Sequence, residues 1–234
     1  MQLTCDDLSF QYPNNGTKVL DRLSFIIRGP GFHAVFGPSG AGKTSLARII
    51  SANISEYQGS LQLKGISTIL YCYNMERLPG WTDIGNLLQE ITPAGRKSLL
   101  EELIAVFDLN DLLDARFPRL SMGQQNRVNL IRYLVQDFDL LILDESLANV
   151  DEQLRRTIIL HIKERFPDKM FLAISHNLLE IAALCRDIIV LSARQEESQG
   201  RLLHGMDIRR NGTEDIVPDR KKLDAVMLEI MNAC

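Results

Sequence analysis

Residues 37 to 45 read GPSGAGKTS, and no other stretch restricts the possible folds so sharply. The run satisfies GxxxxGK[ST], with the apolar GFHAVF before it and TSLARII after it, the strand, loop and helix context in which such a loop cradles phosphate. Gly37, Gly40 and Gly42 allow a tight backbone turn, which Pro38, Ser39 and Ala41 complete and Ser45 follows. Consecutive N–H groups then face phosphate oxygens, and the helix beyond adds its positive end. Lys43 is placed to reach the β- and γ-phosphates, and the Thr44 hydroxyl to sit on Mg²⁺.

The rest of the chain supplies an α/β frame for that loop. LTCDDLSF and VLDRLSFII, separated by PNNG, alternate partly between apolar and polar residues and predict antiparallel strands at the N-terminus. GSLQLKG and STILYCY predict further strands. From about residue 75 to 135 the character changes, because LLEELIAVF puts Leu99, Leu100, Leu103, Ile104 and Phe107 on one helical face. The segment predicts an inserted helical subdomain within a single domain of residues 1 to 234, the core being 1–74 and 136–234. DLLILDE is a continuous apolar run of the kind found in a buried parallel strand. A helix with Leu154, Ile158 and Ile162 in register, strand MFLAIS, helix LLEIAALC and strand DIIVLS follow. Such alternation implies a mostly parallel sheet flanked by helices, a P-loop NTPase core. Arg194 to about Pro218 is polar and predicts irregular chain; Lys222 to Met231 predicts a helix with Leu223, Val226, Met227 and Ile230 inward.

Charge and composition exclude several function classes. With 26 basic and 30 acidic residues, net −4, and no basic cluster, the chain lacks the field that attracts a nucleic-acid backbone. Cysteines 5, 72, 185 and 234 are far apart, which argues against a zinc site or disulfide framework and fits a reducing cytosol. MQLTCDDLSF is acidic where a signal peptide is basic, and no apolar run approaches the ~18 residues of a membrane span.

Two carboxylates and a histidine extend the phosphate site. Asp144, at the end of the buried strand, can hold hydrated Mg²⁺. Glu145 would face the γ-phosphate and position or deprotonate the attacking water. His176, after FLAIS, emerges at the same sheet edge and would bond the γ-phosphate and the water; Ser175 or Asn177 could instead make this a helix cap. Histidines 33, 161 and 204 have no such company and read as scaffold or surface.

LSMGQQNR, residues 120 to 127, makes a second glycine turn into a helix. It resembles the LSGGQ signature of ATP-binding cassette (ABC) ATPases, and it matches that family in order and spacing with GPSGAGKT, DLLILDE, SLANVD ending at Asp151, and SHN. The resemblance implies that one copy's signature caps the ATP held by another copy's phosphate loop, so two chains sandwich two nucleotides head to tail. Ser121 and the Gly123 N–H, with Gln124 beside them, would then meet the γ-phosphate across the interface, near Asp151. It also implies that Tyr12 stacks on adenine, and that Asn74 stands where the family keeps a glutamine that contacts Mg²⁺ or water. Met122 and Asn126 depart from the family's glycine and glutamine, and Ala148 from its serine.

The implied function is the ATP-binding and ATP-hydrolysing subunit of a transporter. A second ATPase subunit, most simply another copy, and a separate membrane permease would be its partners, with a solute-binding protein if the system imports. The chain would sit on the cytoplasmic face of the inner membrane, and nucleic acid is not expected as a partner. VPDRKKLDAVMLEI is loosely like importers of the nitrate, sulfonate or taurine type. Trp81 reads equally as core or as part of a permease groove. A soluble ABC-type ATPase in assembly or regulation is the rival; a DNA-repair head would need a coiled coil for which the chain has no room.

Overall fold

The computed structural model describes residues 1–13, 17–74, 76–192, 200–210 and 219–234. Strands β1 (Gln2–Phe10) and β2 (Leu20–Arg28) pair antiparallel, and β4 (Gln58–Lys64) adds to the other side of β1, giving the order β2-β1-β4. Their alternation puts Leu3, Cys5, Leu8, Leu23, Phe25 and Ile27 inward. Within the predicted turn, residues 14–16 lie outside the described residues.

A second, six-stranded sheet contains β3 (Gly31–Phe36), β5 (Ile69–Tyr73), β6 (Leu140–Asp144), β7 (Met170–Ile174), β8 (Asp187–Leu191) and β9 (Gly200–His204). The order is β5-β6-β7-β3-β8-β9, parallel except for β9. Every residue of β6, β7 and β8 is buried, the consequence of cover on both faces and the reason their sequences are apolar except for Asp144 and Asp187 at strand ends.

Strand β9 corrects the expectation of irregular chain from Arg194 to Pro218. GRLLH carries two apolar residues among polar ones, too weak a pattern to announce a strand. The DIIVL edge provides the ladder, pairing Ile189 with Leu202 and Ile188 with Leu203. Residues 194–199 and 211–218 of that stretch lie outside the described residues.

Helices are α1 (Lys43–Ile50), α2 (Ile84–Ile91), α3 (Lys97–Val106), α4 (Met122–Leu134), α5 (Glu152–Arg165), α6 (Leu178–Leu184) and α7 (Arg220–Ala233). Between β5 and β6 the described residues contribute three of them and no strand of either sheet. Leu99, Leu100, Leu103, Ile104 and Phe107 are all buried, as their spacing predicts. In α7, Leu223 and Ile230 are buried and Val226 and Met227 pack against the core.

The large sheet separates two apolar clusters. Val35, Ile142, Leu172, Ile174 and Ile189 face α1 and the antiparallel sheet, whereas Phe32, Leu141, Leu143, Phe171 and Val190 face the other helices. Three histidines are scaffold. Buried His33 on β3 lies with Nδ1 3.0 Å from Asp187 Oδ2, and Asp187 Oδ1 is 2.9 Å from Nδ1 of exposed His204, so three strands meet at one carboxylate. His161 on α5 lies 2.9 Å from Glu102 on α3. Among the described residues no helix is long and apolar enough to cross a membrane.

Candidate active site

The phosphate loop runs from the end of β3 into α1. Gly42 closes it at φ 97°, and a Cβ there would lie 2.7 Å from Leu20 Cδ2 and 2.9 Å from the Val19 carbonyl, so conformation and space both require glycine. Pro38, Ser39, Gly40 and Thr44 are exposed, while Gly37, Ala41, Gly42, Lys43 and Ser45 are buried. The Lys43 ammonium donates to the carbonyls of Gly37 and Pro38, at 2.8 and 2.9 Å. Burial holds its pKa below the ordinary lysine value, against the opposing pull of Glu145 and Asp144. A phosphate would give this cation a better partner than two carbonyls.

The carboxyl ends of the parallel strands gather the remaining groups, the edge where open α/β sheets bind ligands. Thr44, Asn74, Asp144 and Glu145 line one cleft of about 320 Å³, together with Arg48, Tyr71 and Tyr73. Asp144 ends β6, and its backbone carbonyl accepts the Asn74 N–H at 3.0 Å. Glu145 follows in the left-handed region at φ 53°, a strained conformation for a non-glycine residue, with its N–H on the Ile174 carbonyl of β7. Its Oε1 lies 2.8 Å from His176 Nε2. Asn177, not Ser175, caps α6, its side chain accepting the Glu180 N–H.

Asn74 Oδ1 is buried and makes no hydrogen bond to any described residue. This acceptor, the Asp144 carboxylate and the Thr44 hydroxyl form an all-oxygen donor set that fits a hard divalent cation such as Mg²⁺. One member was not legible in sequence: the Tyr71 hydroxyl donates to Asp144 Oδ2 at 2.7 Å. Burial, followed by that carboxylate, pushes the Tyr71 phenol well above its ordinary pKa, so it remains a donor. A tyrosine inside a strand reads as core, and only the parallel pairing of β5 with β6 brings it to a residue 73 positions away.

Tyr12 is half-buried beside the loop, its hydroxyl 3.1 Å from Ser45 Oγ and its ring edge-on to Phe10. Ser121 begins α4 with a capping box: its Oγ accepts the Gln124 N–H at 3.3 Å, and the Gln124 side chain accepts the Ser121 N–H at 2.8 Å. Gly123 has an intramolecular reason to be glycine, since a Cβ would lie 2.2 Å from the Asn149 carbonyl. Asn126 ties the same turn to the Ala148 carbonyl at 2.8 Å. Met122 is half-exposed and not among the residues with positive φ. Asp151 is the N-cap of α5, accepting the N–H groups of Gln153 and Leu154. Trp81 is 80% exposed and therefore surface rather than core.

The ABC transporter family model matches residues 20–148. The Taurine import ATP-binding protein TauB of Pseudomonas fluorescens is 30% identical over 216 residues, covering 86% of this chain and 81% of TauB. The Molybdenum import ATP-binding protein ModC of Brucella suis is 32% identical over 191 residues, covering 73% of this chain and about half of ModC (53%). Among solved structures, a bacterial Atm1-family ABC exporter with ATP bound superposes with a TM-score of 0.76 over 99% of this chain and 41% of its own, at 20% identity, a likeness of fold. With the family model matching more than half of its residues and TauB 30% identical across most of both chains, this chain belongs to the ABC transporter family, as one of its ATPases.

Proposed function

We propose that this chain powers an importer by closing head to tail on a second copy around two ATP molecules, thereby moving a separate membrane permease. The carrying observation is that the chain holds two anion-ready helix starts. One belongs to α1 and stands with Lys43, Asp144, Glu145 and His176; the other, at Ser121, is exposed on α4 with its hydroxyl turned to its own helix. An exposed capped start suits a phosphate brought by another copy, and two complementary patches on one chain give a closed two-fold pair.

In this reading the loop N–H groups and Lys43 grip the phosphates, Tyr12 meets the adenine, and Thr44, Asp144 and Asn74 would hold Mg²⁺, which supplies charge neutralisation at the β- and γ-phosphates. Glu145 takes a proton from the attacking water. His176, already 2.8 Å from the Glu145 carboxylate, fixes its direction and reaches toward the γ-phosphate. Ser121, Gly123 and Gln124 cap the same phosphate from the partner, with Asp151 beside them. Residues 75–135 act as an inserted lobe on the 1–74 and 136–234 core, and exposed Tyr73 and Trp81 mark its permease groove. Import rests on the names of TauB and ModC; a solute-binding protein and a place on the cytoplasmic face of the inner membrane belong to the same reading.

The test is Glu145→Gln. Turnover should fall at least ~100-fold, about 2.7 kcal/mol in barrier, while Mg-ATP binding persists and light scattering records a dimer only with ATP. A variant that stays monomeric at saturating Mg-ATP overturns the sandwich.

A further inference from the structure

Glu76 has no part in the sites described above, yet it is anchored to three residues of α4. Its carbonyl accepts the Asn129 side-chain amide at 2.9 Å. One carboxylate oxygen pairs with the Arg132 guanidinium, and the other accepts the Tyr133 hydroxyl at 2.8 Å. Arg132 also lies over the Tyr133 ring, 4.6 Å from its centroid. Residues 129, 132 and 133 share one face of α4, so three anchors on one residue resist both sliding and rotation of that helix. The ion pair is mostly withdrawn from water, with side-chain exposures of 25% and 15%, and such a pair holds one geometry strictly because neither charge can be left alone.

What Glu76 is joined to gives the clamp its meaning. Asn74, two residues earlier, lines the cleft with Thr44, Asp144 and Glu145 and is bonded to the Asp144 backbone. Two residues of chain span at most about 7 Å, so Asn74 and Glu76 stay within that distance and a displacement of Asn74 beyond it must carry Glu76 along. The far end of α4 is gripped by the loop after Glu145, through Asn126 on the Ala148 carbonyl and Gly123 against Asn149. Besides the bonds of Gln125 and Arg127 within the helical insert, the helix bearing Ser121 is thus tied at each end to a segment leaving the cleft.

We propose that Glu76 is a positioning residue: it transmits the state of the nucleotide cleft to α4 and so sets where Ser121 is presented to a partner. The proposal rests on the reading of the cleft as the ATP site. Its test uses hydrogen exchange of the full chain with and without Mg-ATP, at concentrations where it is monomeric, beside steady-state kinetics. In the wild type, Mg-ATP should change exchange both in residues 43–50 and in residues 121–134. Glu76→Ala should keep the first change and lose the second, with Kd for Mg-ATP within two-fold and kcat at least ten-fold lower. Tyr133→Phe, which leaves the ion pair, should give a partial effect of two- to five-fold, and it carries the test if Glu76→Ala does not fold. An unchanged kcat, a response of α4 undiminished in both variants, or a loss of Mg-ATP affinity matching the loss of kcat would overturn the role. A wild type that answers at α4 through Glu76 but never dimerises would refute the sandwich and leave this linkage standing.

Discussion

At the scale of single residues, the cleft shows which chemistry a linear motif announces and which it hides. Lys43, Thr44, Asp144, Glu145 and His176 were legible because each lies at a fixed step from a strand end, and strand ends meet at one sheet edge. Tyr71 and Glu76 were not, since their partners lie more than fifty positions away and neither belongs to a spaced pattern. Asn74 fell between: its place was readable, but only the structure reveals a buried Oδ1 without a partner among the described residues. Lengthening that side chain by one methylene should bring the amide closer to the cation and water it is proposed to serve. Asn74→Gln should thus keep or raise the ATPase rate under saturating Mg-ATP; a collapse in kcat would contradict the assignment of this position.

At the scale of elements, helix α3 and the buried strands were readable from periodicity, and among the described residues the strand that was missed is β9, whose two leucines are adjacent rather than alternating. Contacts between elements were the unreadable part. Gly123 illustrates this, for its need to be glycine comes from the loop between β6 and α5 rather than from its own helix. Gly123→Ala should cost about 1–3 kcal/mol through overpacking, lowering Tm by roughly 2–4 °C per kcal/mol, and should disturb turnover by displacing Asn149. The His33, Asp187 and His204 cluster makes a second prediction. Burial alone would raise the Asp187 carboxyl, but hydrogen bonds and charge from His33 and His204 outweigh it and hold the pKa below the ordinary aspartate value. Such a group stabilises the fold above the unfolded-state pKa of about 3.9, and that contribution is lost as pH falls through the lower folded value. Asp187→Asn should therefore be less stable than wild type near neutrality. The gap in urea midpoint should narrow below pH ~4; a constant gap would refute this linkage.

At the scale of the whole molecule, the proposed dimer places the Ser121 face of α4 over another copy's phosphate loop. Ser121→Arg should abolish ATPase activity while leaving Mg-ATP affinity of the isolated chain unchanged in equilibrium titration. Lost affinity would instead mean that Ser121 serves its own nucleotide. The central sheet also constrains how the molecule comes apart. Each of β3, β6 and β7 supplies alternate side chains to compartments on opposite sides, so slipping any of them by one position turns every residue to the wrong compartment. A half-assembled chain with one compartment sealed and the other open has no register of its own to adopt, which makes the sheet a common wall that both rooms must build together.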